Sequence, residues 1–289
     1  MMYEVSHTTQ YEYDAPVVAS FAELRQLPDD VDGQVCLHRS ITTSPEAEHH
    51  REHRDYFGNL AAVVVVREEH TQLVVTSTSL IDTSGRPTGF VNDGRRAWRS
   101  YTVAETSSDN LTAIEFTLDS GLVTRSEQLA EYARPSFGND TSLADGVLSL
   151  CARIHADFEF DAKATEVDTP IADVMSMRKG VCQDFAHVMI GSLRSLGLPA
   201  AYVSGYLETL PPPGRARLTG ADRTHAWVGV PLEDGRWIGI DPTNNQIAGQ
   251  RYVTTARGRD YADVPPLKGV IFTDATTSRL TVSVDVVAQ

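Results

Sequence analysis

The chain is poor in cysteine. Its 289 residues hold three, Cys36, Cys151 and Cys182, and none forms a C-x-x-C pair. That spacing excludes a disulfide framework and a cysteine-rich zinc module, and leaves free thiols as the simplest reading. Long apolar runs are missing too. The longest aliphatic stretch, LAAVVVV from Leu60 to Val66, falls far short of the ~20 residues a membrane helix needs. The opening MMYEVSHTTQYEYD has neither the basic nor the apolar segment of an export signal, so the cytoplasm is the expected location. Positive charge is also in deficit: 25 Lys and Arg against 39 Asp and Glu give a net charge of −14. Such a chain repels phosphate backbones and anionic lipid headgroups, so neither nucleic acid nor membrane is an expected partner. Low-complexity tracts and internal repeats are absent.

What is present has the balance of a folded protein, 41% hydrophobic and 22% charged. The length favours two domains. The first part reads as strands: YEVSHTTQYEY, ending near Asp14-Ala15-Pro16; QVCLHRSITTS, broken by Pro45; and a hairpin about Phe57-Gly58-Asn59. In TQLVVTSTSLID, Leu73, Val75, Ser77 and Ser79 share one face. These short strands predict a β-rich, sandwich-like domain over residues 1–110.

Beyond residue 110 the period changes. TLDSGLVTRSEQLAEYARPSFG reads as helical, and Leu143, Val147, Leu150, Ile154 and Phe158 recur at helical spacing behind an N-cap at Thr141 or Ser142. Cys151 lies in that helix, where a thiol packs as a small hydrophobe. A further helix starts near Pro170 and stops at Gly180. Phe185, Met189, Leu193 and Leu196 then mark a buried helix opened by Cys182 and ended by Gly197 and Pro199. Strand-like segments follow to the end, interrupted by the surface loop 211–223 with Arg215, Arg217 and Arg223. Helices followed by hairpin strands predict an α+β unit over 111–289, its helices packed on an antiparallel sheet.

Cys182 is the residue to explain. A single cysteine is more often core than reagent. At a helix start, however, unpaired N–H groups favour the thiolate and supply a donor for a carbonyl oxygen. His225, in RTHAWVGV, is placed to act as its base, and Asp241, ending WIGID before Pro242, to orient that histidine. The Asp234-Gly235 turn between the two strands predicts the hairpin that brings them together. Gln183, Asp184, His187 and Trp227 are candidates for substrate contact or for holding an oxyanion. For Asp184 and His187 the more frequent role is a buried hydrogen bond that anchors the helix. A metal site from Cys182, His187, His225 and Asp241 is disfavoured, because residues five apart do not share a helix face. His49, His50 and His53 suit a solvated strand face better than a ligand set. No metal and no cofactor is expected.

Three segments, Gly180-Val181-Cys182-Gln183-Asp184-Phe185-Ala186-His187, Thr224-His225-Ala226-Trp227-Val228 and Ile240-Asp241-Pro242-Thr243-Asn244-Asn245, resemble the bacterial transglutaminase-like cysteine peptidases. The resemblance extends to the β-rich N-terminal region and to GRDYADVPPLKGV, Gly258 to Val270. It implies a papain-like catalytic domain after a β-rich domain, with Cys182 as nucleophile, His225 as base and Asp241 as orienter. One departure is Gly229, where many members carry an acidic residue. The expected reaction is hydrolysis of a peptide or isopeptide amide through a cysteinyl thioester. Transfer to an amine and a non-catalytic scaffold are the alternatives. The expected partner is a peptide or protein with an amide bond. The resemblance allows for calcium, but no D-x-D-x-D-G loop occurs.

Overall fold

The structure, a computed structural model, describes residues 1–90, 94–102, 111–209 and 222–289. The first sheet is built on one long strand, β1 (Met2–Leu24). Along one edge of β1 run β4 (Leu60–Val66) and β5 (His70–Asp82), and outside them β3 (His49–Arg54) and β2 (Val35–Ser44). Along the other edge run β13 (Leu267–Thr273) and β14 (Ser278–Ala288). Each flanking pair is in effect one broken strand. β5 pairs with β1 up to Glu12 and again at Val17, and β4 takes over at Ser20; β14 pairs up to Tyr13, and β13 takes over at Val17. All the breaks fall on one line, at 14–16, 45–48, 67–69 and 274–277, and the sheet bends there. Asp14 closes the bend: its carboxylate accepts from the Thr276 and Thr277 backbone N–H groups at 3.0 and 3.1 Å. The bend lets Leu73 and Val75 of one half and Leu60, Ala62, Val64 and Val66 of the other share a core.

Thus Pro16 bends the first strand and does not end it. The last two strands, expected with the second unit, hydrogen-bond to β1 in the first sheet.

The second sheet is antiparallel, in the order β11 (Gln246–Ile247), β10 (Trp237–Asp241), β9 (Thr224–Pro231), β8 (Ala201–Leu207), β12 (Tyr252–Gly258). Sharing a core with it are α2 (Glu127–Ala133), α3 (Leu143–Asp157), α4 (Ile171–Met177) and α5 (Cys182–Ser195), with the short α1 (Leu111–Glu115) before them in the chain. A short parallel pair, β6 (Glu159–Phe160) and β7 (Lys179–Gly180), holds the chain entering α5. Ser142 caps α3, its hydroxyl accepting from Asp145 N at 3.1 Å. Of the helical stretch expected at 117–138, only α2 and a short 3-10 turn after it form; residues 117–126 are turns held by Asp119 and Asp260. α4 ends on Arg178 in the left-handed region (φ 54°), so Gly180 is not its stop. Among the described residues no helix is long and apolar enough to cross a membrane.

The two sheets meet through Tyr3, Val5, Ile81, Val284 and Val286 on one side and Tyr206 and Val253 on the other. Gln34 pairs with the edge strand β12 as a strand would: its Nε2 donates to Thr254 O and its Oε1 accepts from Thr254 N, both at 2.9 Å. That covers an edge otherwise open to association.

From Gln183 to Arg194, α5 is buried on every side. Its apolar face alone predicts less. Most of its buried polar side chains are bonded, the Ser192 hydroxyl being left without a partner among the described residues; Arg194 donates to the carbonyls of Phe116, Leu118, Ala200 and Arg259 at 2.7–3.2 Å. Arg194→Met strands those acceptors, and we expect a loss of about 3 kcal/mol in denaturant unfolding followed by circular dichroism.

Candidate active site

Cys182 is half-buried at the first position of α5, where the first backbone N–H groups have no intrahelical partner. The helix start is rigidly built. Asp184 reaches back, its Oδ2 accepting from Val181 N at 2.7 Å and from Thr165 Oγ1 at 2.6 Å. Burial raises the Asp184 pKa, and these two bonds oppose the rise. Gly180 makes the arrangement possible: a Cβ there would sit 2.5 Å from Asp184 Oδ2.

His225 lies near the start of β9. The ladder pairs Ile240 with Val228, which brings Asp241 level with Trp227; His225 reaches back diagonally, its Nε2 2.7 Å from Asp241 Oδ2. The other ring nitrogen is left for the Cys182 thiol, whose nearness helps to raise the His225 pKa. Desolvation lowers the His225 pKa, but the bond to Asp241, then that to Cys182, then their charges, outweigh it and push it up to about 10. Asp241 is wholly buried. Its desolvation is outweighed by donors, and the carboxyl is held below its usual range. Besides His225, Oδ1 accepts from the N–H groups of Thr243 and Asn244 at 2.9 and 3.2 Å, and Oδ2 from Asn244 Nδ2 and Tyr252 OH at 2.7 and 2.6 Å.

The remaining candidates are all close by, but in supporting positions. Trp227, 1% exposed, packs beneath His225 and edge-on to Tyr252, so substrate does not reach it. Gln183 donates to Val167 O at 2.8 Å, which commits its amide to the 161–169 loop and away from an oxyanion. His187 accepts from Tyr261 N at 3.2 Å and lies against Tyr202; burial pushes its pKa down to about 4. His187 and Asp184 therefore anchor the helix. Among the described residues no three His, Cys, Asp or Glu side chains gather as a metal ion requires. His49 and His53 instead face single glutamates, Glu48 and Glu23. Of the basic loop, residues 210–221, with Arg215 and Arg217, lie outside the described residues.

Four residues escaped the sequence reading of the site. Asn244 was legible as a second amide donor beside Asp241, but Tyr252 comes from another strand and needed the sheet order. On α3, Cys151 and His155 sit four apart: Cys151 Sγ is 3.4 Å from Asp241 O and His155 Nδ1 is 2.9 Å from Thr243 O. They hold the 241–244 turn from behind. Burial pushes the Cys151 thiol up to about 12.

A thiol at a helix start facing an imidazole that a buried carboxylate orients is the layout of a papain-like thiol site. Residues 3–82 match the bacterial transglutaminase-like N-terminal region, and residues 130–242 match the transglutaminase-like superfamily. An uncharacterized protein of Mycobacterium tuberculosis is 40% identical over 289 residues, 99% of this chain and 92% of that one. A crystal structure of a candidate cysteine protease from Cytophaga hutchinsonii shares the fold, with a TM-score of 0.72 at 22% identity over 98% of this chain and 90% of that one. A protein-glutamine gamma-glutamyltransferase of Pseudomonas aeruginosa is 32% identical over 131 residues, 44% of this chain and 19% of that one. The chain belongs to the transglutaminase-like superfamily, which covers cysteine protease and transamidase activity.

The Asp241 contact has a measurable consequence. We expect an NMR titration to show the His225 ring protonated until the pH rises to about 10. In Asp241→Asn, which loses the main cause of that rise, the midpoint moves to lower pH. An unchanged midpoint contradicts the assignment of Asp241 as the partner.

Proposed function

We propose that the protein hydrolyses an amide bond, peptide or isopeptide, through a thioester on Cys182. The observation that carries this is the placement of His225 between the Asp241 carboxylate and the thiol at the start of α5. With its proton passed to His225, the Cys182 sulfur attacks the carbonyl carbon as a thiolate, and the C=O π pair moves to oxygen. The Cys182 backbone N–H, at the helix start, donates to that oxyanion. His225, held as imidazolium by Asp241, gives its Nδ1 proton to the departing amine as the C–N bond breaks. The neutral ring then takes a proton from water, which attacks the thioester and returns the thiol. Asp241 stays ionised and fixes the ring so that Nε2 never faces the substrate.

A second reading, acyl transfer to an amine, is favoured by the likeness to the Pseudomonas aeruginosa gamma-glutamyltransferase over the 131 matched residues. It shares the first half-reaction and differs only in what resolves the thioester. Product analysis with a peptide amide plus a primary amine separates them: free acid marks hydrolysis, and the new amide marks transfer.

The test of both is a peptide and isopeptide library turned over by the intact protein and by Cys182→Ala. We expect the variant to lose about a thousandfold or more; turnover that survives it removes the mechanism. The leaving amine needs the imidazolium, so kcat/KM falls on the alkaline side as pH rises through the His225 pKa of about 10. In Asp241→Asn that limb appears at lower pH. A profile flat across this range excludes His225 as the acid.

A further inference from the structure

We propose that the outer edge of β13 pairs with the same edge of a second copy of this chain, antiparallel about a two-fold axis at Ile271, so that the two first sheets join into one.

The other long edges are closed. Gln34 covers β12. β3 presents His49, His50, Arg51, Glu52, His53 and Arg54, a wholly polar row. β2 is interrupted by a register shift between Cys36 and His38. On β14, Asp222 occupies the middle: its N–H donates to Val284 O at 3.1 Å and its Oδ2 accepts from Val286 N at 2.7 Å. Charge, irregularity and a covering segment are the means by which proteins blunt an edge. β13, with the sequence LKGVIFT, has none of them. Among the described residues it pairs with β1 alone, it carries no bulge of its own, and its single charge is Lys268. Val270 and Phe272 on it are 63% and 56% exposed.

The ladder tells which groups of β13 face outward. Arg25 N donates to Pro266 O at 2.9 Å, just before the strand. One register then runs from the Leu24–Leu267 pair to the Ala19–Phe272 pair. In an antiparallel pair every second residue turns both its N–H and its C=O to the partner. Lys268, Val270 and Phe272 therefore direct theirs to β1, and Gly269, Ile271 and Thr273 direct theirs to the open edge.

A second copy fits because this edge is complementary to itself about Ile271. In that register Ile271 faces its own counterpart with two hydrogen bonds, and Gly269 faces Thr273 in the same manner on either side. Val270 then stands opposite Phe272, a β-branched residue against an aromatic one at the closer, non-hydrogen-bonded spacing. Phe21 enlarges that apolar band, being level with Val270 and edge-on to Phe272 at 5.9 Å. Lys268 stands opposite Asp274; both are exposed, and each copy's cation meets the other's carboxylate. Centring the pair on Val270 sets Lys268 against Phe272, and centring it on Phe272 sets Asp274 against Val270, so only the Ile271 register matches the charges. The net charge of −14 opposes contact between copies over most of the surface, whereas residues 267–274, with one Lys and one Asp, are neutral.

One pair of strands buries less than a standard interface, so the dimer is a weak one, seen at micromolar concentrations and lost on dilution. Sedimentation velocity of the intact chain over a dilution series reads it. Ile271→Pro removes an outward N–H and leaves the bonds to β1 in place; it keeps the parent's circular dichroism and stays monomeric. Lys268→Asp and Asp274→Lys each set like charges opposite one another and weaken association about tenfold. An equimolar mixture of these two variants restores it, because every Asp then meets a Lys. The mixture decides the register whether or not the proline variant folds. A parent that is monomeric throughout, a folded Ile271→Pro protein that dimerises like the parent, or a mixture no tighter than its components overturns the proposal.

Discussion

The site depends on one buried charge. Asp241 is removed from water, and an ion so placed is tolerated only when its oxygens are filled by donors. Five donors converge on it, and four of them belong to groups that do no chemistry. The fifth is His225. Because the supporting donors fix where the carboxylate stands, the imidazole has one favourable orientation, and that orientation turns its free nitrogen toward Cys182. The α3 side chains Cys151 and His155, the Trp227 ring under the imidazole and the Tyr252 hydroxyl are parts of a single mount. The site is therefore as rigid as the core behind it.

The helix start is built by the same logic with different parts. A helix that opens on Cys182 needs its first N–H groups unblocked on the side facing substrate and its own cap secured on the other. Asp184 provides the cap from within the first turn, and Gly180 leaves it room. The rest of α5 is buried so completely that Arg194 is held by carbonyl oxygens, with no carboxylate bonded to it among the described residues. An element anchored along its whole length cannot tilt, and the sulfur at its tip inherits that immobility.

Much of this was legible in the residues, for definite reasons. Helix α3 and its Ser142 cap follow from period and capping chemistry, and the buried face of β5 from strict alternation. Cys182, His225 and Asp241 follow from sequence because each stands at an element boundary with its own marker: a glycine two residues before the helix, a loop before the strand, a proline after it. What was not legible is what depends on pairing between distant segments. Tyr252 opens β12, at the opposite end of the sheet from β11, and only the sheet order brings its hydroxyl to Asp241. Trp227 reads equally well as a contact residue or a packed one until its burial is known. The strands of 267–288 look like any others, and no local signal says that their partner is β1, more than two hundred residues away. Pro16 gave the opposite impression, because a proline that ends most strands here marks a bend shared by four of them.

That remote pairing shapes how the molecule comes into being. Strand β1 is made well before β13 and β14, and one of its edges stays bare until they follow, after the entire α/β unit. The later-made unit can assemble around its helices while the earlier one waits with an open flank. Synthesis order and folding order are thus reversed for the last part of the first sheet, and that flank is where a nascent chain of this kind has most need of a chaperone's cover.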